Sequence, residues 1–294
     1  GLDIKYSTAQ KKLIESVSGD RKKISGVAGS GKTLVLAKRA VNAHKRTGEK
    51  VLVLTYNIAL RNYIHDKVNE VREKFDWGVF EIINYHQFFL SQANNYGIPT
   101  PDFSAWQNVN IFEPVKSRIQ KYDSILIDEV QDYRTEWLRI ILKYFLKDNG
   151  EFIVFGDEKQ NIYGRPLDED RKPVIPKVKG RWNKSLNATY RFSGDIARLA
   201  MDFQREFLSD KYSEDVFDLS VRQEELKFKK YEGEKLIEYY LLEESSPESI
   251  HELVMQIVKE NKIHPSDVCI LDSRVEVIRE LDYKIRNISK EKSK

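Results

Sequence analysis

The 294-residue chain contains one cysteine, Cys269, and so forms no internal disulfide. Its five histidines are scattered, with none at the spacing of a protein-bound zinc site. No apolar run exceeds four residues, against roughly 18 for a membrane span, and the first ten residues lack the apolar stretch of a secretory signal. These absences give the expectation of a cytoplasmic protein with no membrane partner. Charge of one sign is also missing: 49 basic against 46 acidic residues leaves +3, too little for the whole-chain charge to argue for nucleic acid. What remains is a globular composition, 40% hydrophobic and 32% charged, with a length that predicts about two domains.

Short β-rich runs alternate with helical patterns, the signature of an α/β chain with a parallel sheet. Strands are predicted at residues 22–25, 51–55, 79–84, 124–127 and 152–155. Several are continuous apolar runs (VLVL, ILI, FIVF), as strands covered on both faces require. Helices are predicted to begin at Lys32, Ala59, near Phe112, at Thr135 and at Gly194, and further on a helix at 250–260 leads to a strand at 268–271 and a closing helix. The stretch 165–184 holds three prolines and no periodicity, which marks a long connection and a domain boundary.

Three motifs carry chemistry. GVAGSGKT, Gly26 to Thr33, fits G-x-x-x-x-G-K-[ST] between a strand and a helix. Backbone N–H groups of Gly26, Ala28, Gly29, Ser30 and Gly31 can turn around a β-phosphate, Lys32 can reach the β- and γ-phosphates, and the Thr33 hydroxyl can ligate Mg²⁺. ILIDEVQD, Ile125 to Asp132, then offers Asp128 as the second Mg²⁺ partner and Glu129 as the base that orients water. FGDEKQNIYG, Phe155 to Gly164, places Gln160 to bond a phosphate oxygen or a polar neighbour, and Tyr163 to offer a face to a base.

As an ordered set these motifs resemble the UvrD-like branch of superfamily 1 DNA helicases, from about Tyr6 to Asn287. DEVQD is similar to motif II, GDEKQNIYG to motif III, and SLNATYRFS (185–193) to motif IV. The resemblance implies that Gln10 reads the adenine edge, that Tyr190 stacks on adenine, and that Arg191 crosses from a second RecA-like domain to the γ-phosphate. LTYNIALRNYI from Leu54 is similar to motif Ia and INYHQFF from Ile83 to motif Ib, which places Thr55, Tyr56, Asn57 and His86 beside Tyr163 on a single-strand path. The implied architecture is an N-terminal RecA-like ATP-binding domain over 1–180, with a short accessory insertion at 90–122, and a partial second RecA-like domain over 181–294. The implied activity is ATP hydrolysis driving 3′-to-5′ movement on single-stranded or tailed duplex DNA. The subgroup whose sequence is most similar often carries a nuclease-related domain, so a nuclease is an expected partner.

The chain departs from the pattern in three places. Motifs V and VI, with their second γ-phosphate arginine, are absent before Lys294, which opens the alternative of a nucleotide-binding switch or scaffold with weak or no hydrolysis. Arg165 stands where relatives continue with a stacking tryptophan, and Trp182 either replaces that platform or packs at the domain boundary. Finally, the segment 90–122 is short for the family's accessory domain; separately, residues 171–184 hold six basic residues, no acidic ones and one Trp, a composition that suits either phosphate contacts with base stacking or a solvated basic linker.

Overall fold

The computed structural model describes residues 4–71, 74–100, 105–161, 163–169, 171–191, 194–212, 238–243, 246–264 and 267–287. Two compact units emerge, Gly1–Glu232 and Gly233–Lys294. The first is built on a six-stranded sheet of β1 (Arg21–Gly26), β2 (Val51–Thr55), β3 (Phe80–Asn84), β4 (Tyr122–Ile127), β5 (Leu146–Gly156) and β6 (Asn183–Leu186), in the order β3-β2-β4-β5-β1-β6. Every pairing is parallel. The chain therefore has the α/β RecA-like P-loop fold that its strand pattern predicts.

Parallel pairing forces each link to cross a face of the sheet, so both faces are covered and the strands read as apolar runs. Period-2 alternation sorts them: Leu52, Leu54, Ile125, Ile127, Phe152 and Val154 enter one core, while Val51, Val53, Leu126, Ile153 and Phe155 enter the other. The second core is closed by α2 (Lys32–Thr47) and α3 (Ile58–Glu70), whose Val35, Leu36, Ala40, Ile64 and Val68 recur at helical spacing. The first is closed by α4 (Tyr85–Asn95), α5 (Thr135–Ile140) and a π-helical turn over Ile141–Phe145. A short α1 (Thr8–Leu13) precedes β1, and α6 (Gly194–Phe207) follows β6, with Ala197 packed on Val27.

Several expectations change. Near Phe112 the chain makes a 3-10 turn, Glu113–Arg118, instead of an α-helix, with Phe112 itself filling the core. The α4 helix escaped the sequence pattern because its Asn84 cap and aromatic first turn follow a strand without a break. The sheet also extends beyond Gly180, the expected domain limit, because β6 pairs with β1. In the second unit, α7 (Pro247–Glu260) packs on α8 (Val275–Asn287), with Leu281 buried and a Lys284–Glu248 ion pair between them. Residues 268–271, expected as a strand, do not form one.

Candidate nucleotide site and strand cleft

All six parallel strands end at the same edge, so the residues just past β1, β2, β3, β4, β5 and β6 converge there. The loop after β1 turns through left-handed conformations at Gly29 (φ 76°) and Gly31 (φ 85°), and Gly31 caps α2. A Cβ on Gly29 would sit 2.6 Å from Arg191 Cβ, and one on Gly31 would sit 2.8 Å from Gln10 Nε2. Both glycines are thus needed for backbone shape and for close approach. Lys32 Nζ donates to the Gly26 carbonyl at 2.8 Å, which holds its ammonium over the loop. Ser30 Oγ is buried with no hydrogen-bond partner among the described residues.

Asp128 faces this loop from the end of β4. Its Oδ2 accepts from Thr33 Oγ1 at 3.3 Å, and its Oδ1 accepts from the Glu129 N–H at 3.1 Å. Burial, reinforced by the Glu129 charge and opposed by Lys32, holds its carboxyl above the ordinary range. A hydroxyl and a carboxylate side by side are hard oxygen donors of the kind that Mg²⁺ takes alongside phosphates. Glu129 adopts a left-handed backbone (φ 51°, ψ 48°), a conformation that costs energy in a non-glycine residue. That turn aims its side chain away from the strand, where Glu129 Oε2 accepts from Gln131 Nε2 at 2.7 Å.

From Glu129 a hydrogen-bonded relay runs to the end of β5. Gln131 Oε1 accepts from the Asp157 N–H at 3.0 Å, and Asp157 Oδ2 accepts from Gln160 Nε2 at 3.1 Å. Of the two roles open to Gln160, the one observed is to a polar neighbour, Asp157. Gln131 and Asp157 were not singled out in the sequence, although both lie within the quoted motifs.

Gln10 is buried, its Oε1 accepting from the Ser7 N–H in a capping box and its Nε2 donating to the Ser30 carbonyl at 3.1 Å. It braces the phosphate loop. Tyr190 N–H donates to the Gly29 carbonyl at 3.0 Å, so Tyr190 and the exposed Arg191 flank the same loop. This corrects the expectation that Arg191 arrives from a second domain. Because β6 pairs with β1, the segment after it leaves the shared sheet edge directly against the loop.

Beyond β2 and β3 lies an aromatic cleft of about 400 Å³, lined by Tyr56, Asn57, Ile58, Asn84, His86 and Tyr163 among others. Tyr56 contacts Tyr163 (centroids 5.0 Å) and His86 (5.6 Å). Arg165 closes one side, its guanidinium 5.4 Å from the Tyr163 ring and 5.8 Å from the Trp137 ring, with Nε donating to the Asp132 carbonyl at 3.0 Å. Asn161 brackets the Arg165 backbone from both sides at 2.8 Å. His86 is held below its usual pKa by burial and then by the Arg165 charge, so it meets a ligand as a neutral ring.

Thr55 and Trp182, both named for the strand path, are buried in this structure, and of the two readings of Trp182 the one observed is packing. Thr55 is fully buried and its hydroxyl donates to the Asn57 carbonyl, because β2 is covered on both faces and every one of its residues is buried. Trp182 is buried in the first core and lies over Gly156, so it packs and offers no face to a base. With Ile175 and Val178 it anchors the 171–184 segment, leaving Arg171, Lys177, Lys179, Arg181 and Lys184 exposed.

The sequence matches the family model described as AAA domain over residues 10–166. No curated protein matches it. Among solved structures, it is similar to arterivirus nonstructural protein 10 (helicase) in complex with DNA, at 14% identity and a TM-score of 0.35, covering 70% of this chain and 43% of that one. It is also similar to a nuclease-deletion mutant of the Type ISP restriction-modification enzyme LlaGI in complex with a DNA substrate mimic, at 16% identity and a TM-score of 0.35, covering 71% of this chain and 23% of that one. The chain thus spans less than half the length of either.

Proposed function

Because this chain belongs to the AAA domain family, we propose that it is the ATPase core of a superfamily 1, UvrD-like motor that moves on single-stranded DNA. The observation that carries the reading is the placement of Thr33 and Asp128, 3.3 Å apart, beneath a phosphate-type loop whose Lys32 lies over it. Thr33 and Asp128 would hold Mg²⁺, which when bound neutralises charge on the β- and γ-phosphates. Lys32 moves from the Gly26 carbonyl to the phosphates, and Glu129 takes the proton of the attacking water. Arg191, exposed beside Gly29, adds charge stabilisation of the kind that arginine fingers provide.

The second half of the reading rests on the cleft of Tyr56, His86 and Tyr163, where flat faces suit unstacked bases. Arg165 ties that cleft to Asp132, and the Glu129–Gln131–Asp157–Gln160 relay ties the water-orienting carboxylate to the segment that carries Tyr163. The two sites therefore share one short stretch of chain, which gives nucleotide state a route to strand affinity. The 3′-to-5′ polarity and an associated nuclease are carried by the sequence resemblance.

Steady-state ATPase with and without single-stranded DNA tests the reading. Turnover stimulated by DNA is expected, abolished in Lys32→Ala and in Glu129→Gln, with nucleotide binding retained in the latter. Nucleotide binding without DNA-stimulated turnover would replace the motor by a nucleotide switch.

A further inference from the structure

A second cavity, of about 350 Å³, lies between α3 and the edge strand β3, and shares no lining residue with the nucleotide site. Arg61, Asn62, His65 and Asp66 line it from the helix, and Trp77 and Phe80 from the strand side. His65 and Trp77 stack, with centroids 3.8 Å apart and planes 12° from parallel, and Trp77 braces against Phe75 at 5.2 Å. Trp77 in this aromatic shelf remains 37% exposed, whereas the other three tryptophans, Trp106, Trp137 and Trp182, are 8%, 4% and 9% exposed.

The shelf and the aromatic cleft are lined by successive turns of the same helix. Asn57 and Ile58, which line the cleft, are followed at helical spacing by Arg61 and Asn62 and then by His65 and Asp66, so one face of α3 runs from one cavity to the other over about 10 Å. The polar groups along it choose the ligand. Arg61 suits a phosphate on the way, while Asp66 opposes a polyanion inside the cavity and can accept from a base amino group.

We infer that the groove between α3 and β3 is a second base-stacking subsite, in which a single strand leaving the Tyr56–Tyr163 cleft passes Arg61 and lays a base on Trp77. This rests on the strand-binding half of the proposed function; Arg61 lies within LTYNIALRNYI, whereas the stacking contact at Trp77 falls outside every quoted motif.

The test follows oligo(dT) of 16 nucleotides binding to the whole chain by two readouts, anisotropy of a labelled oligonucleotide and tryptophan emission with acrylamide as quencher. Trp77 is the acrylamide-accessible tryptophan, so bound DNA is expected to lower emission and to shield it from acrylamide, a response lost in Trp77→Phe. Binding by anisotropy is expected to weaken at least about fivefold in Trp77→Ala, which removes the stacking face, and in Arg61→Gln, a change on an exposed helix face that leaves the core untouched. DNA binding that requires Tyr56 but leaves Trp77 as accessible as in the free protein, with Trp77→Ala and Arg61→Gln at wild-type affinity, overturns the subsite and leaves the functional reading intact. No anisotropy change with any variant overturns the functional reading, and the subsite with it.

Discussion

Asp132 shows how one side chain reports on its surroundings. It is half-buried beside Glu129, and burial followed by that charge raises its carboxyl to about 6, with Arg165 pulling the other way. The folded state therefore binds this proton more tightly than the unfolded chain, whose carboxyl titrates near 3.8. The sign follows: the favourable contribution is fully present below the unfolded value and is lost as pH rises through about 6. Asp132→Asn cannot ionise, so its Tm relative to the wild type should rise between pH 4 and 7 and level off above. A difference constant across that range, measured by thermal melts in matched buffers, would refute the burial account. At this scale the sequence was informative wherever chemistry demands a fixed spacing, as at Gly29, Gly31, Lys32 and Thr33. It was misleading at Thr55 and left Trp182 open, because a residue's type says what it can contact and only the surrounding fold says whether it faces solvent.

At the scale of elements, α2 does more than present Lys32 and Thr33. Its Arg39 is wholly buried, with Nε donating to Glu151 at 2.6 Å, Nη1 to the Leu13 carbonyl at 2.8 Å and Nη2 to Asp20 at 2.5 Å. One turn pair later, Arg46 reaches Asp123 at 2.6 Å and Glu151 at 3.3 Å. These bonds tie α1, α2, β4 and β5 together at the end of the sheet away from the Gly26–Thr33 loop. Arg39→Ala leaves Glu151 and Asp20 short of a partner, and urea unfolding should show a loss of about 3–5 kcal/mol. Arg39→Lys keeps the charge but loses the fork and should recover only part of it. The strands were legible because their apolar runs are local and continuous. By contrast, the extra residues of β5, which begins at Leu146 with a bulge against β4, depend on a register set by its neighbour.

Over the whole molecule, a net charge of +3 hides a segregated distribution. Ile175, Val178 and Trp182 pin the 171–184 segment into the core while five cations project outward. A fixed basic surface of this kind predicts salt-sensitive DNA binding, with a slope of about −0.7 in log K against log salt for each phosphate contacted on a single strand. Lys177→Gln with Lys179→Gln should reduce that slope by about 1.4 if both touch phosphate, as titrations at several salt concentrations would show. The described part of the second unit is two packed helices, and no helix among the described residues is long and apolar enough to cross a membrane. By itself the sequence determined the parallel α/β class, the five strands in the runs 22–25 to 152–155, and the glycine-rich loop between β1 and α2, because each of these is written in local spacing. Only the tertiary structure decided that β6 completes the sheet and brings Arg191 to Gly29, that Trp182 packs while Trp77 is exposed, and that Gln131 and Asp157 join Glu129 to Gln160. Those outcomes depend on pairings between residues far apart in the chain, whose partners and burial no local pattern records.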